Sequence, residues 1–151
     1  MEERFETFTV LMNRINRNIR KIKNSEMSEY KLRSPHISCL YYLFTSNGLT
    51  ATDLCEKCEE DKATISRSLA YLEKNGYLLC NCNNVKRYNS TFTLTKKGYE
   101  AGRKIALKID EVLREVSVGL SDNERTEFYR CLSIISGNID RITGSAYKSD
   151  I

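Results

Sequence analysis

Two short helices are predicted in close succession near the middle of the chain, and they constrain the fold more than any other feature. Thr50 with Asp53 three residues later has the form of a capping box, which predicts a helix from Thr50 to about Cys58. Asp61 is suited to cap the next helix, which stops at Gly76. With a turn of only a few residues between them, the two form a helix-turn-helix.

A β-hairpin is predicted immediately after the second of these helices. Residues 77–82 and 91–94 are rich in strand-forming side chains, and they flank the polar stretch 83–89. That stretch contains Lys86 and Arg87, so the hairpin has a long, basic tip.

Amphipathic helices are predicted on the N-terminal side of this region. From Phe5 to Ile22 the apolar residues fall at alternating spacings of three and four, which is the stripe of a helix. Ser34, as an N-cap residue before a proline, opens a short helix that Asn47-Gly48 closes. Basic residues lie off the stripe of the first helix, and we interpret them as a solvent-exposed face, with a second DNA contact as the alternative: Arg14, Arg17, Arg20, Lys21 and Lys23.

Two long helices are predicted on the C-terminal side. One runs from 95 to about 119, and Ser121 with Glu124 forms a second capping box that opens the last helix. The predicted fold class is therefore mainly α with a small β-hairpin wing (α+β), a winged helix-turn-helix flanked by long helices.

The second helix of the pair has an outer face that suits the major groove of DNA. With Ile65 at the centre of the inner face, Ser68, Leu69 and Leu72 also point inward. Small residues at the start of the outer face permit close approach to base edges, and Arg67 is suited to bond a guanine edge. The candidate DNA-binding residues are Lys62, Ala63, Thr64, Ser66, Arg67, Tyr71 and Lys74 on the helix, with Lys86 and Arg87 at the hairpin tip.

The distribution of charge also favours a polyanionic partner. The formal net charge is +4, but residues 61–104 carry nine lysines and arginines against three acidic residues. The basic excess lies in the same region as the candidate DNA-binding residues.

Four segments carry a recognisable pattern: Thr50-x-x-Asp53-Leu54, Asp61-Lys62-Ala63-Thr64-Ile65-Ser66-Arg67, Leu72-Glu73-Lys74-Asn75-Gly76-Tyr77 and Leu94-Thr95-Lys96-Lys97-Gly98. In this order and spacing they resemble the multiple-antibiotic-resistance regulator (MarR) family. The resemblance extends over nearly the whole chain and implies a single domain, 1–151. It places the winged helix-turn-helix at 34–98 and dimerisation helices at 1–24 and 99–143.

The resemblance implies a homodimeric transcriptional regulator, typically a repressor, bound to a pseudo-palindromic site in double-stranded DNA. The recognition helix is 61–75, and Lys86-Arg87 lies at the tip of the wing. The apolar stripes of the first and last helices are suited to the dimer interface, for which the candidate residues are Phe5, Phe8, Met12, Ile15, Phe128, Leu132, Ile135 and Ile139.

The chain departs from the family pattern at two places. Val85 stands where the family wing usually carries an aspartate two residues before an arginine, so the usual anchoring of the wing is in doubt. Glu59-Glu60 replace the usual small and aliphatic residues between the two short helices. Acids near DNA repel phosphate, and we expect these two to point away from it.

Many family members bind small, often aromatic and anionic, compounds in a cleft between the winged domain and the dimer helices. Tyr41, Tyr42 and Phe44 are candidates to line such a ligand pocket, and ordinary core packing is the alternative for aromatic residues at these positions. The resemblance therefore implies a repressor released by a small-molecule effector.

Six cysteines permit other forms of control. Cys55-x-x-Cys58 with Cys80-x-Cys82 has the ligand types of a four-thiolate zinc site, although packing is the favoured interpretation and we predict no metal or cofactor. Thiol oxidation is a further alternative, with Cys39 nearest to where the peroxide-sensing branch of the family carries its cysteine. Cys131 is interpreted as an interface or core residue.

An enzyme is not predicted. His36 is the only histidine, and no phosphate-binding glycine loop, nucleophile elbow or paired-carboxylate arrangement stands out. A winged-helix module that binds a protein instead of DNA is the alternative function. No apolar run approaches the length of a membrane span and no signal peptide is recognised, so a cytoplasmic location without membrane contact is expected.

Overall fold

The computed structural model describes residues 2–26, 28, 31–46, 48–81 and 90–144. In this part of the chain the structure is mainly helical with one antiparallel hairpin, which confirms the predicted fold class. The elements are α1 (Glu2–Glu26), α2 (Ser34–Thr45), α3 (Ala51–Cys58), α4 (Lys62–Lys74), β1 (Leu78–Asn81), β2 (Thr91–Leu94), α5 (Lys96–Val116) and α6 (Asp122–Thr143). The chain divides into two compact units, Met1–Asp110 and Glu111–Ile151.

The capping residues predicted for α3 and α6 are confirmed. The Asp53 backbone N–H donates to Thr50 Oγ1 at 3.2 Å, and the Thr50 N–H donates to Asp53 Oδ2 at 2.7 Å. Ser121 and Glu124 make the same reciprocal pair at the start of α6. Each cap satisfies helix N–H groups that have no partner within the helix and stabilises it by about 1 kcal/mol.

The predicted start of α2 is wrong by one residue. Ser34 lies inside the helix, and Arg33 is the residue that precedes it. The Ser34 backbone N–H donates to Asn24 Oδ1 at 2.8 Å, and the Arg33 N–H donates to His36 Nδ1 at 3.1 Å. The side chains of Asn24 and His36 satisfy these two N–H groups at the start of the helix. Because they do so, α2 begins one residue earlier than an N-cap at Ser34 predicts.

The hydrophobic core of the first unit lies where α2, α3, α4, the hairpin and the first half of α5 meet. Its largest fully buried side chains are Phe92, Leu40, Leu54, Ile65, Leu72, Leu78, Ile105 and Cys39. The predicted inner face of α4 is confirmed, since Ile65, Ser68, Leu69 and Leu72 are all buried. Each buried large apolar side chain contributes about 1.5–3 kcal/mol to folding.

The hairpin pairs Leu78 with Leu94 at one end and Asn81 with Thr91 at the other. The segment before α3 extends this pairing, because the Phe92 N–H donates to the carbonyl oxygen of Leu49 at 2.8 Å. The Leu49–Phe92 bridge is not predicted by the sequence pattern. It connects the helix-turn-helix to the base of the hairpin.

Two glycines on α5 allow the helix to pack closely on earlier elements. A Cβ on Gly98 would lie 1.8 Å from the carbonyl oxygen of Tyr77. A Cβ on Gly102 would lie 2.7 Å from the Cβ of Phe44 on α2. Any larger residue at Gly98 therefore collides with backbone that cannot rotate away.

A fully solvent-exposed basic face was predicted for α1, and at the C-terminal end of the helix this prediction is wrong for Lys23. Lys23 is half-buried, and its Nζ donates to Ser38 Oγ on α2 at 3.0 Å. Arg20 lies 3.9 Å from Glu60. The reason is that α1 packs on α2 at this end, which draws Lys23 out of water.

Apolar side chains remain exposed along α1 and α6. Met12 and Ile15 on α1, and Phe128, Ile135 and Ile139 on α6, are exposed, and no residue of α6 is buried in the single chain. Phe8 and Leu132 are half-buried, whereas the side chain of Phe5 lies outside the described set. Among the described residues no helix is long and apolar enough to cross a membrane.

Candidate nucleic-acid interface

The outer face of α4 carries most of the candidate DNA-binding residues. Lys62, Ala63, Ser66, Arg67 and Lys74 are exposed, whereas Thr64 and Tyr71 are half-buried. Lys62 and Lys74 are twelve residues apart, which separates them by about 18 Å along the helix at about 1.5 Å per residue. The major groove of B-DNA is about 12 Å wide, so a lysine at each end of α4 is able to reach a phosphate while the residues between them face the bases.

The start of α4 is held rigidly by Asp61. The backbone N–H and the hydroxyl of Thr64 each donate to an Asp61 carboxylate oxygen at 2.8 Å. These hydrogen bonds, the backbone one first, hold the pKa of Asp61 below its usual range. One guanidinium nitrogen of Arg67 donates to Thr64 Oγ1 at 3.4 Å. Two candidate base-contacting side chains are therefore connected to each other and to the helix cap before any ligand binds.

Tyr71 is placed differently from the other candidates. Its ring stacks on His36 of α2, with centroids 4.3 Å apart and planes 2° from parallel, and its hydroxyl donates to the carbonyl oxygen of Lys31 at 3.2 Å. Burial, and then the charge of Arg33, lower the pKa of His36, which favours a neutral imidazole. The structure thus gives Tyr71 a packing role between α4 and α2, and its contact with DNA stays a prediction.

The segment Leu94–Gly98 connects the end of α4, the hairpin and α5. The Thr95 hydroxyl donates to the carbonyl oxygen of Gly76 at 2.7 Å and accepts from the Gly98 N–H at 3.1 Å. Lys97 Nζ donates to the carbonyl oxygen of Asn75 at 2.7 Å and lies 4.2 Å from the centre of the Tyr77 ring. These contacts fix the direction in which the hairpin leaves α4. Sequence reasoning did not assign this role to Thr95 or Lys97.

The tip of the hairpin lies outside the described residues. This includes Lys86 and Arg87, as well as Val85 and Cys82. The predicted wing contacts therefore stay predictions.

One of the two acidic residues in the turn between α3 and α4 is paired with a cation of α1. Glu59 adopts a left-handed conformation with φ of 53° and is exposed. Glu60 lies within 3.9 Å of Arg20 on α1, which partly offsets its charge. The expected repulsion of phosphate by Glu60 is reduced in this way, and that both acids point away from DNA stays a prediction.

Two of the three candidate pocket residues of α2, Tyr42 and Phe44, contact different elements. The centre of the Tyr42 ring lies 5.9 Å from Lys57 Nζ, near the end of α3. The Tyr41 and Tyr42 rings meet edge-on, with their centroids 5.3 Å apart. Phe44 packs against Tyr99 on α5 with ring centroids 5.0 Å apart. Residues two apart on a helix point in nearly opposite directions, so Tyr42 and Phe44 do not line one wall of a cavity.

No metal site is formed by the cysteines that the structure describes. Within the described ranges no three histidine, cysteine, aspartate or glutamate side chains are grouped closely enough to hold a metal ion. Cys55 and Cys58 lie on α3 and Cys80 lies on β1. Cys82, the fourth cysteine of the zinc alternative, lies outside the described residues, so the four-thiolate arrangement itself stays untested.

Comparison with known proteins agrees with this geometry. Residues 36–113, just over half of the chain, match the family model of the winged helix DNA-binding domain. No curated protein sequence matches the chain. The matched range contains the helix-turn-helix, the hairpin and most of α5.

Solved structures with a similar fold include three from bacteria. A MarR family regulator from Neisseria meningitidis is 18% identical with a TM-score of 0.80, covering 94% of this chain and 97% of that one. Staphylococcus aureus MepR in complex with DNA is 17% identical with a TM-score of 0.78, covering 87% and 97%. Staphylococcus aureus MarR in complex with salicylate and kanamycin is 16% identical with a TM-score of 0.80, covering 93% and 95%. The chain therefore belongs to the winged helix DNA-binding domain family and has the fold of the MarR-family transcriptional regulators.

Proposed function

We propose that this protein is a homodimeric transcriptional repressor that binds a specific, pseudo-palindromic site in double-stranded DNA. The observation that carries the proposal is the outer face of α4, where Thr64, Ser66 and Arg67 lie between a lysine at each end of the helix. The N-terminus of this helix is capped by Asp61, and its inner face is buried in the core. The similar fold of MepR, which was solved in complex with DNA, supports DNA as the partner.

The homodimer is supported by the exposed apolar residues of α1 and α6. Phe128 and Ile139 are 50% and 44% exposed, and no residue of α6 is fully buried in the single chain. An amphipathic helix of this length requires a partner for its apolar face, and a second copy of the same face is the simplest one. Two recognition helices related by twofold symmetry then read half-sites about 34 Å apart, or one turn of DNA.

We also propose that a small aromatic or anionic effector releases the protein from DNA. The solved complex of Staphylococcus aureus MarR with salicylate supports such a ligand class. Tyr41 and Tyr42 are the candidates to contact it, since their half-buried rings pack edge-on against each other. Phe44 is the weaker candidate because its ring is engaged by Tyr99.

The experiment that tests the function is selection of bound fragments from genomic DNA with the purified protein, followed by footprinting at moderate salt. A repressor of this type recovers one pseudo-palindromic motif and protects both half-sites. Salicylate added to the protein bound to that motif tests release by an effector. Recovery of fragments without a shared motif, bound weakly and non-cooperatively, would contradict the proposal and favour a winged-helix module that binds a protein.

A further inference from the structure

Asp61, Thr64 and Arg67 form a chain of hydrogen bonds along the first two turns of α4. The Thr64 hydroxyl donates to Asp61 Oδ2 at 2.8 Å, and the Thr64 backbone N–H donates to Asp61 Oδ1 at 2.8 Å. Thr64 Oγ1 in turn accepts from Arg67 Nη2 at 3.4 Å. The side chains of Thr64 and Arg67 therefore lie side by side, and the order of donors and acceptors that they present is set within the protein.

The direction of the hydrogen bond between Thr64 and Asp61 follows from the charge on Asp61. An ionised carboxylate only accepts, whereas a hydroxyl has one proton to donate and two lone pairs that accept. The hydrogen bonds from Thr64, the backbone one first, hold the pKa of Asp61 below its usual range, so this carboxylate is ionised at neutral pH. The Thr64 proton is therefore committed to Asp61, and the Thr64 oxygen faces other groups as an acceptor.

This direction decides which DNA groups Thr64 is able to bind. Phosphate oxygens, N7 and O6 of guanine, N7 of adenine and O4 of thymine are all acceptors, and two acceptors form no hydrogen bond with each other. In the major groove only the exocyclic amino groups donate, at N6 of adenine and N4 of cytosine. Thr64 is half-buried, so part of its side chain stays accessible to such an amino group.

Arg67 offers the opposite hydrogen-bonding character. Its guanidinium carries only donors, in a fork geometry that matches N7 and O6 of guanine. The side chain is exposed on the outer face of α4. In helix-turn-helix proteins the N-terminal residues of the second helix are the ones that contact base edges. Arg67 and Thr64 together present two donors followed by one acceptor.

One base pair matches this order in the major groove. A G·C pair presents two acceptors, N7 and O6 of guanine, followed by one donor, N4 of cytosine. O6 and N4 are hydrogen-bonded to each other at about 2.9 Å, which is close to the 3.4 Å between Arg67 Nη2 and Thr64 Oγ1. An A·T pair presents an acceptor, a donor and an acceptor, so it mismatches the order at two of its three places.

We infer that Arg67 and Thr64 of each α4 read a single G·C base pair, and that Asp61 is the positioning residue that fixes Thr64 as an acceptor. Arg67 donates to N7 and O6 of the guanine, and Thr64 accepts from N4 of the cytosine in the same pair. This inference rests on the proposed function, because it requires specific binding to double-stranded DNA. It adds the base pair and the polarity with which that pair is read.

The test measures the affinity of the full-length protein for the selected DNA site and for sites in which each base pair of one half-site is replaced by the other three. Arg67→Ala identifies the pair in question, as the one at which it removes the preference. Wild type should prefer G·C there by about tenfold over each alternative.

Thr64→Val tests the acceptor, because it keeps the shape of the side chain and removes the hydroxyl. It should lower the preference at the same base pair by about threefold to tenfold and leave the preferences at other positions intact. Thr64→Ser is the matched control, since it keeps the hydroxyl and should keep the preference. A purely structural role for Thr64 would instead weaken binding to all sites equally.

Asp61→Asn tests the polarity. Asparagine is a good N-cap residue, and its carbonyl oxygen accepts from the Thr64 backbone N–H as the carboxylate does. Its amide nitrogen then donates to the Thr64 hydroxyl, which directs the Thr64 proton outward. The preference for G·C at this pair should therefore fall about as far as in Thr64→Val. Glu59→Gln removes one negative charge from the adjacent turn and is the matched control, which should shift the affinity for all sites alike and keep the preference.

Two results would overturn the inference while the proposed function stands. One is a pair other than G·C at the position that Arg67→Ala identifies, and the other is relaxation of a different pair by Thr64→Val. An unchanged preference in folded Asp61→Asn would overturn the role of Asp61. Because the Thr64 variants leave the helix cap in place, the base-pair assignment does not depend on Asp61→Asn folding. Selection that recovers no shared motif would contradict the proposed function, and the inference with it.

Discussion

The rings of His36 and Tyr71 are stacked 4.3 Å apart and nearly parallel, although the two residues belong to different helices. The stack lies behind the recognition helix and orients it on α2. Because Tyr71 also lies beside the candidate DNA-binding face, its substitution distinguishes a packing role from a DNA contact.

Tyr71→Ala should lower the free energy of unfolding by about 1–2 kcal/mol, since it removes an aromatic pair and part of the packing of α4. Tyr71→Phe keeps the stack and removes only the hydrogen bond to Lys31, for a loss of about 0.5–1.5 kcal/mol. Urea unfolding at one protein concentration measures both. If Tyr71→Phe weakens DNA binding while leaving stability unchanged, the hydroxyl acts on DNA and not on Lys31.

Stability should fall as the pH drops below about 6.5, the ordinary pKa of histidine, because burial and Arg33 lower the pKa of folded His36. In the window between the folded and unfolded pKa values the unfolded chain binds more protons, so the free energy of unfolding rises with pH there. His36 is the only histidine, which isolates its effect. Urea unfolding across this window tests the sign, and His36→Gln should remove the pH dependence.

Gly98→Ala should destabilise the protein by about 2–3 kcal/mol or prevent folding, because the new Cβ meets the Tyr77 carbonyl oxygen at 1.8 Å. Gly137→Ala on α6 is the matched control, since nothing lies within 4 Å of its added Cβ. That change should stabilise the helix by about 0.5–1 kcal/mol. Thermal unfolding measures both, and similar midpoints for the two variants would contradict the close packing of α5.

Lys97→Ala should lower stability by about 1 kcal/mol, because it removes the hydrogen bond to Asn75 at the end of α4 and the cation above the Tyr77 ring. Lys96→Ala removes the same charge from the neighbouring exposed position and should change stability by less than about 0.5 kcal/mol. Denaturant unfolding of the pair gives the comparison. Equal effects would indicate that only net charge matters.

Arg67→Ala should weaken binding to the selected DNA site by about 1–3 kcal/mol and relax specificity at one base pair. Arg103→Ala on α5 removes an equal charge from an exposed helix outside the proposed interface and should have a smaller effect. Titration of labelled DNA at two salt concentrations separates the two. Unchanged affinity for Arg67→Ala would contradict its assignment as a base-contacting residue.

Sequence reasoning succeeded where partners lie three or four residues apart. The capping pairs Thr50 with Asp53 and Ser121 with Glu124 are local, and helix geometry alone brings their atoms together. The inner face of α4 follows from the same periodicity. These features specify which segments are helices, where α3 and α6 begin and which side of α4 is apolar.

Other contacts were decided only when the elements packed together. The pairing of Leu49 with Phe92, the stack of His36 on Tyr71 and the hydrogen bond from Lys97 to the Asn75 carbonyl oxygen each join different parts of the fold. Lys23, which periodicity placed on a solvated face, is half-buried because α1 meets α2 there. Local periodicity determined the helices and the inner and outer faces of α4, whereas contacts between distant residues depend on how whole helices dock, which no short sequence window contains.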